Sequence, residues 1–288
     1  MCDILKLFNI NDKVALVACS NGFTLESSPK IEQLIKALKE LGLDPILSPV
    51  IYRKNGASNG TGLERAEVVN RYFSDPEIKG IFDISGGDLA NETLEYLDYE
   101  LIKANPKPYF GYSDLSTILN ALNEKCKIPT YHYQVRNLIG DDSENQIEYF
   151  KKSFMGEDLP DFKYEFIRGT EMEGIITGGN IRCLLKLIGT EYQPVFDGKI
   201  LFFEGLSGDS AKMATFLTQY RQIGAFKNLK GIILGTFTEM EKNNYKPTFL
   251  ELLLEKIPDN VPIIKSYELG HGQDCKCLVI GNKYSFTK

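Results

Sequence analysis

The sequence predicts an α/β protein in two units: an N-terminal parallel sheet flanked by helices over residues 1–160, then a smaller C-terminal mixed α/β domain over 161–288. Three observations point there. Short apolar runs alternate with helical patterns through the first half, as expected of a parallel sheet covered on both faces. Periodicity fades between Gly140 and Gly169, where Asp141-Asp142-Ser143-Glu144-Asn145 is polar and Gly156-Glu157-Asp158-Leu159-Pro160 is a cluster of breakers. Apolar runs then resume, with helices separating only some of them.

The elements follow in order. Residues 13–19 read as the first strand. A helix over 29–41 follows, with Ser28 as its cap, Pro29 in the first turn and Gly42 closing it. A second strand spans 44–47 and a second helix 64–73; the Gly-, Ser- and Asn-rich stretch 54–62 before that helix reads as a flexible loop. Further strands fall at 80–84 and 109–110, the latter because Pro106 and Pro108 bar a helix just before it. Leu115, Ile118, Leu119 and Leu122 then recur at helical spacing. In the second unit, strand-like runs lie at 174–177, 199–204, 231–234, 262–264 and 277–280, with helices near 210–223 and 247–255. The first unit is thus flavodoxin- or Rossmann-like. In such sheets ligands bind beyond the carboxyl ends of the strands, where Gly86, Gly87 and Ser113 fall.

Composition excludes several functions. Among 288 residues, 33 Lys and Arg face 39 Asp and Glu, a net charge of −6, and no basic cluster stands out, which argues against nucleic acid as the main partner. No run of about 18 apolar residues offers a membrane span. The first residues lack the basic region and apolar core of a secretory signal, so a cytoplasmic protein is expected. The six cysteines, Cys2, Cys19, Cys126, Cys183, Cys275 and Cys277, are scattered without a C-x-x-C, and read as reduced and structural. Cys275 and Cys277 sit in an apparent strand, both side chains on one face. With two histidines and no complete dinucleotide motif, neither a metal nor a cofactor is expected.

The chemistry centres on Gly111-Tyr112-Ser113-Asp114, where strand meets helix. A serine on such a turn is exposed beside the free N–H groups of a helix start, the setting of a nucleophile; it is equally the setting of an ordinary helix cap. Imidazole activation would require His132 or His271. His132 has apolar flanks and reads as a packing or supporting residue. His271 stands between Gly270 and Gly272, on what reads as an exposed loop, and is the better base. Glu204 ends the apolar run Lys199-Ile200-Leu201-Phe202-Phe203, where an unpaired carboxylate would be costly. It can orient an imidazole, or emerge into solvent at the strand's end.

Several segments, in order, resemble the serine-type LD-carboxypeptidase family, and within it the branch of microcin C immunity peptidases. Residues 62–66 and 73–81 resemble the lead into the family's glycine pair, and Ser85-Gly86-Gly87-Asp88 with Asn91-Glu92 resembles the pair itself. Asn105-Pro106-Lys107-Pro108-Tyr109-Phe110-Gly111-Tyr112-Ser113-Asp114 resembles the nucleophile segment. Gly178-Gly179-Asn180, Gly189-Thr190, Lys199-Ile200-Leu201-Phe202-Phe203-Glu204 and Gly270-His271 resemble the motifs of the second domain. The resemblance implies a Ser113–His271–Glu204 triad and an oxyanion hole from the N–H groups of Asp114 and Gly87. A glycine pair after an apolar strand also lets backbone approach a substrate closely.

The same resemblance implies a metal-independent serine peptidase, commonly dimeric, acting on one of two substrate classes. One is a cytoplasmic muropeptide losing its terminal D-alanine. The other is a peptidyl- or aminoacyl-nucleotide analogue cut at its amide. Gly86, Asp88 and Arg182 are candidates for substrate contacts, and Arg65, like Arg182, for reading a carboxylate. The chain departs from the pattern at Ser85, where many members carry arginine, and at Tyr133, where many carry glycine after the histidine; both segments are expected to line the cleft. A non-catalytic ligand-binding protein on the same scaffold is the rival from another class.

Overall fold

The computed structural model describes residues 6–156 and 161–288. Cys2, the rest of the 1–5 segment and residues 157–160 of the breaker cluster lie outside the described residues. The first unit runs β1 (Lys13–Val17), α1 (Ser28–Glu40), β2 (Asp44–Leu47), α2 (Gly62–Ser74), β3 (Ile78–Asp83), α3 (Tyr99–Ala104), β4 (Tyr109–Gly111), α4 (Ser116–Cys126), β5 (Thr130–His132) and α5 (Ser143–Phe150). The second runs β6 (Glu165–Arg168), β7 (Glu171–Asn180), α6 (Ile181–Leu184), β8 (Lys199–Gly205), α7 (Ser210–Gln222), β9 (Gly231–Phe237), α8 (Thr238–Lys242), α9 (Phe249–Leu254), β10 (Ile263–Lys265), β11 (Leu278–Ile280) and β12 (Lys283–Thr287).

Among the described residues these strands form two six-stranded sheets, ordered β11-β5-β4-β3-β1-β2 and β12-β7-β8-β9-β10-β6. The inner pairs of both are parallel, and β11, β12 and β6 are antiparallel edges. The run at 277–280, read as part of the second unit, therefore belongs to the first sheet: β11 pairs with β5, Leu278 opposite His132. Cys275 and Cys277 precede that strand in an irregular segment, so the one-face expectation does not hold; both thiols are free and buried.

Local chemistry explains the elements. The inner strands β1 and β3 of the first sheet are near-continuous buried runs, as parallel strands covered on both faces should be. The α1 helix starts at Ser28 itself, one residue before the expected first helical position, and places Pro29 in its first turn. The α2 helix is fixed by a capping box: Glu64 N–H donates to Thr61 Oγ1 at 3.1 Å and Thr61 N–H to Glu64 Oε2 at 2.7 Å. The preceding loop, read as flexible, is pinned from within. Its Asn59 is fully buried and donates to the carbonyls of Ala18 and Val50, both at 2.8 Å.

On one face of the first sheet Phe82, Phe110, Phe150 and Phe154 pack around Phe8 and Tyr131, with Phe82 and Phe110 ring centroids 4.7 Å apart. On the other, one apolar core runs from Ile81 and Leu119 through Ile181 to Leu201 and Ile232, so both sheets share it. A buried polar seam sets their register. Asn120 on α4 donates to Ser116 O and Gly178 O, and accepts from Thr177 Oγ1 and the Gly178 N–H, all within 2.7–3.0 Å. Ser116 Oγ accepts the Asn180 N–H at 2.9 Å. At Gly179 a Cβ would sit 2.4 Å from Ser116 Oγ, so only glycine permits this approach.

Replacing Asn120 by alanine strands buried donors and acceptors on both sides of the seam. Urea unfolding of Asn120→Ala is expected to show a loss of about 2–4 kcal/mol; a loss within experimental error would mean the apolar core alone holds the sheets together.

Candidate active site

The segments following β3, β4, β8 and β10 converge at the carboxyl ends of the two sheets. Ser113 takes a left-handed backbone, φ +55°, in the tight turn between β4 and α4. A non-glycine residue held there is strained and persists only where its surroundings enforce it. Here the enforcement is visible on both sides: Tyr109 and Phe110 are locked in the sheet, and Asp114 is fully buried. The Asp114 carboxylate accepts from Ser20 Oγ at 2.7 Å, from the Ala90 N–H at 2.9 Å and from Lys186 Nζ. Its side chain is thus consumed by structure.

Gly86 and Gly87 form the turn after β3. Gly87 has φ +135°, and a Cβ on it would fall 2.2 Å from Asn21 Cγ. Asn21 clasps the turn, donating its N–H to Gly86 O and accepting the Asp88 N–H. Ser85, expected in the cleft, is buried behind it. Its hydroxyl donates to Asp83 at 2.6 Å and accepts the Ser20 N–H. Asp83 also accepts from Tyr109 OH and the Cys19 N–H; burial nevertheless pushes its carboxyl above the usual range.

Arg182, just after β7, reaches the glycine turn. It pairs with Asp88 at 2.5 Å, holding that carboxyl below its usual range, and donates to Gly87 O at 3.2 Å. Lys186 donates to Asp88 O at 2.7 Å as well as to Asp114, tying the glycine turn to the serine turn. Arg65 is fully buried, paired with Glu92 at 2.6 Å and directed at the carbonyls of Ser20 and Leu89. It braces the fold and is not available to a ligand.

Glu204 is fully buried near the end of β8, in register with Asn180 on β7. It does not emerge into solvent: Oε2 meets His271 Nδ1 at 2.5 Å. His271 sits on a loop, as expected, but its side chain is only 5% exposed. Its N–H donates to Thr236 Oγ1 at 3.3 Å. Burial pushes the Glu204 carboxyl up and the His271 imidazole down. The charge and hydrogen bond each lends the other outweigh this, leaving Glu204 below the usual carboxylate range and His271 above the usual imidazole value. His271 Nε2 is buried without a hydrogen-bond partner. The Tyr112 ring lies 5.1 Å from the imidazole, bringing the serine turn against His271, although no hydrogen bond joins Ser113 to it here.

His132 is buried in β5 with its ring edge-on to Phe202 at 5.2 Å, and burial pushes its pKa down to about 4. Cys275, pushed up to about 12 by burial, accepts from Asn137 Nδ2 at 3.1 Å. Beside His271 opens a cavity of about 530 Å³, lined by Tyr112, Gln134, Arg136 and Gly270 among others. The sequence reading missed Asn21, Tyr112, Arg136 and Lys186. Only Lys186 carried a signal, as a lone charge within Cys183-Leu184-Leu185-Lys186-Leu187.

A strained serine on a strand–helix turn and a buried carboxylate–imidazole pair, carried by two α/β sheets, are the groups a serine hydrolase would use. The chain belongs to the LD-carboxypeptidase family: residues 14–133 match its N-terminal domain and residues 173–286 its C-terminal domain. It is accordingly a serine carboxypeptidase. A Treponema pallidum relative named as a carboxypeptidase is 28% identical over 96% of this chain and 89% of its own. The microcin C7 self-immunity protein MccF of Escherichia coli is 23% identical over 95% and 90%, and the murein tetrapeptide carboxypeptidase of Pseudomonas aeruginosa 24% over 91% and 89%. In fold, MccF solved in complex with aspartyl sulfamoyl adenosine superposes with TM-score 0.87 at 21% identity, over 97% of this chain and 94% of that one.

Lys186 neutralises the fully buried Asp114 carboxylate. Lys186→Met is expected to lower stability by about 3 kcal/mol, read from denaturant midpoints at constant m-value; an unchanged midpoint would mean the remaining hydrogen bonds suffice for Asp114.

Proposed function

We propose that the protein is an LD-carboxypeptidase of murein recycling, releasing D-alanine from muramoyl tetrapeptides through Ser113, His271 and Glu204. The observation that carries this reading is the buried Glu204–His271 pair set against the strained Ser113 turn. Ser113 Oγ bonds to the carbonyl carbon and its proton passes to His271 Nε2, the ring atom left without a partner. Glu204 holds the Nδ1 proton and stabilises the imidazolium. The N–H groups of Gly87 and Asp114 take the oxyanion, each such donor being worth roughly 3–4 kcal/mol in a closed site. His271 then gives its proton to the leaving amine. Water cleaves the acyl-enzyme by the same route in reverse.

In this reading the enzyme is a cytoplasmic homodimer and needs no metal or cofactor. Gly86, Asp88 and Arg182 form the rim of the site, Arg182 already engaged by Asp88. The likeness to MccF supports a second substrate class, an acyl-nucleotide analogue cut at its amide.

Mass spectrometry of wild type and Ser113→Ala with muramoyl tetrapeptide and, separately, aspartyl sulfamoyl adenosine distinguishes these. D-Alanine release that falls at least about 10³-fold in Ser113→Ala is expected. Cleavage of the nucleotide analogue alone would move the protein to the second class, and turnover surviving Ser113→Ala would reject the nucleophile.

The pH profile tests the base. His271 works as the neutral form, and the protonated form is favoured by Glu204. The acidic limb of kcat/KM should therefore lie above the ordinary imidazole value of about 6.5. Glu204→Gln removes the charge that raises it, so the limb should move down as kcat falls. A limb that stays in place would separate Glu204 from the base.

A further inference from the structure

We propose that Arg136 reads the free carboxylate of the departing amino acid, its guanidinium held in place by Tyr112. This rests on the carboxypeptidase reading above and assigns the residue that makes it specific for a chain end.

A carboxypeptidase must recognise one negative charge at a fixed distance from the scissile amide. Most cations near the serine turn are already engaged: Arg65 by Glu92, Arg182 by Asp88 and Lys186 by Asp114. Arg136 differs. Its Nη2 donates to the Tyr112 hydroxyl at 2.8 Å, and its guanidinium lies over the Phe23 and Tyr112 rings at 5.6 and 5.9 Å. Turned to suit its neighbours, the Gln134 carboxamide accepts from Tyr112 OH at 2.6 Å and from Arg136 at 2.9 and 3.2 Å. Every one of these partners is neutral. Among the described residues Arg136 forms no ion pair, although it is half-buried. A guanidinium held in a fixed orientation with its charge unmatched is built to receive an anion, and its fork suits a carboxylate.

The surroundings point the same way. Arg136 lines the cavity beside His271, whose wall also carries Lys30 and holds no aspartate or glutamate. The position follows from the reaction. His271 hands its proton to the leaving amine, so the leaving residue lies on the imidazole's side of Ser113. In an α-amino acid the carboxylate is two bonds from that amine, so its reader must stand close to His271. Tyr112 makes the link, with its ring against His271 and its hydroxyl on Arg136. Arg136 is also near enough to His271 for its charge to oppose protonation of the imidazole. Arrival of a carboxylate would offset that effect.

The test compares kcat/KM of wild type, Arg136→Gln and Arg136→Lys on a muramoyl tetrapeptide ending in D-alanine and on the same peptide ending in D-alaninamide. Wild type is expected to favour the free acid by about 10- to 100-fold, the range for a lost hydrogen-bonded charge pair. Arg136→Gln should bring that ratio close to one, mainly through KM on the acid. Arg136→Lys keeps the charge without the fork and should retain part of it, which separates recognition from misfolding. A ratio unchanged in Arg136→Gln overturns the proposal alone. Absence of turnover of either peptide by wild type overturns the carboxypeptidase reading and this proposal with it.

Discussion

The close approach of α4 to β7 is the contact on which the rest of the molecule depends. The apolar core shared by the two sheets supplies area but little direction, since burial of hydrocarbon is indifferent to small slips. Direction comes from Asn120, whose side chain satisfies donors and acceptors on Ser116, Thr177 and Gly178 at once, and from Gly179, which lets Ser116 approach. Ser113 begins the turn into α4, and Asn180 ends β7 in register with Glu204. The same seam therefore fixes the distance between the serine turn and the carboxylate.

Around that seam the buried charges divide by task. Taking an ion out of water costs several kcal/mol, recovered only with good geometry and full hydrogen bonding. Asp114 meets that condition through Ser20, Ala90 and Lys186, which makes it a brace for the turn that strains Ser113. The Glu204–His271 pair does not, since Glu204 Oε1 and His271 Nε2 are both buried and unpartnered. A pair built for stability would close both ends. An imidazole held by a carboxylate at Nδ1 and left open at Nε2 is arranged to exchange a proton.

Much of this was legible in the sequence. Strands β1, β3 and β8 are buried on both faces and read as unbroken apolar runs, and Pro106 and Pro108 mark where β4 begins. Glu204 and His271 stood out because each sits where its residue type lacks an easy structural use, whereas Ser113, which suits a helix cap equally well, stood out by its place on a strand–helix turn. Two edges were not legible: β6 is only two apolar residues between two charged ones, none of them buried, and β12 is short and largely exposed. Composition made the 54–62 loop look flexible because a single buried asparagine, Asn59, carries no pattern. Arg136 and Tyr112 were invisible for a related reason. What distinguishes Arg136 is the lack of an acidic neighbour, which only three dimensions reveal. Arg65 misled in the opposite sense, its partners Ser20, Leu89 and Glu92 lying far along the chain.

The crossing of the chain between the sheets explains why His271 can be placed accurately on a loop. After β10 the chain leaves the second sheet, passes through His271, and enters the first as β11, beside β5. The imidazole therefore hangs between two anchored strands, one in each sheet. Thr236 of β9 holds its N–H from one side, and Asn137 holds Gly272 O and Cys275 from the other. A loop tethered to one sheet alone would let the histidine drift with that sheet. Tethered to both, it keeps station relative to Glu204 on β8 and to Ser113 after β4 together. This makes the strand exchange at β11 part of the site's geometry: an ordinary hairpin return within the second sheet would leave His271 without its second anchor.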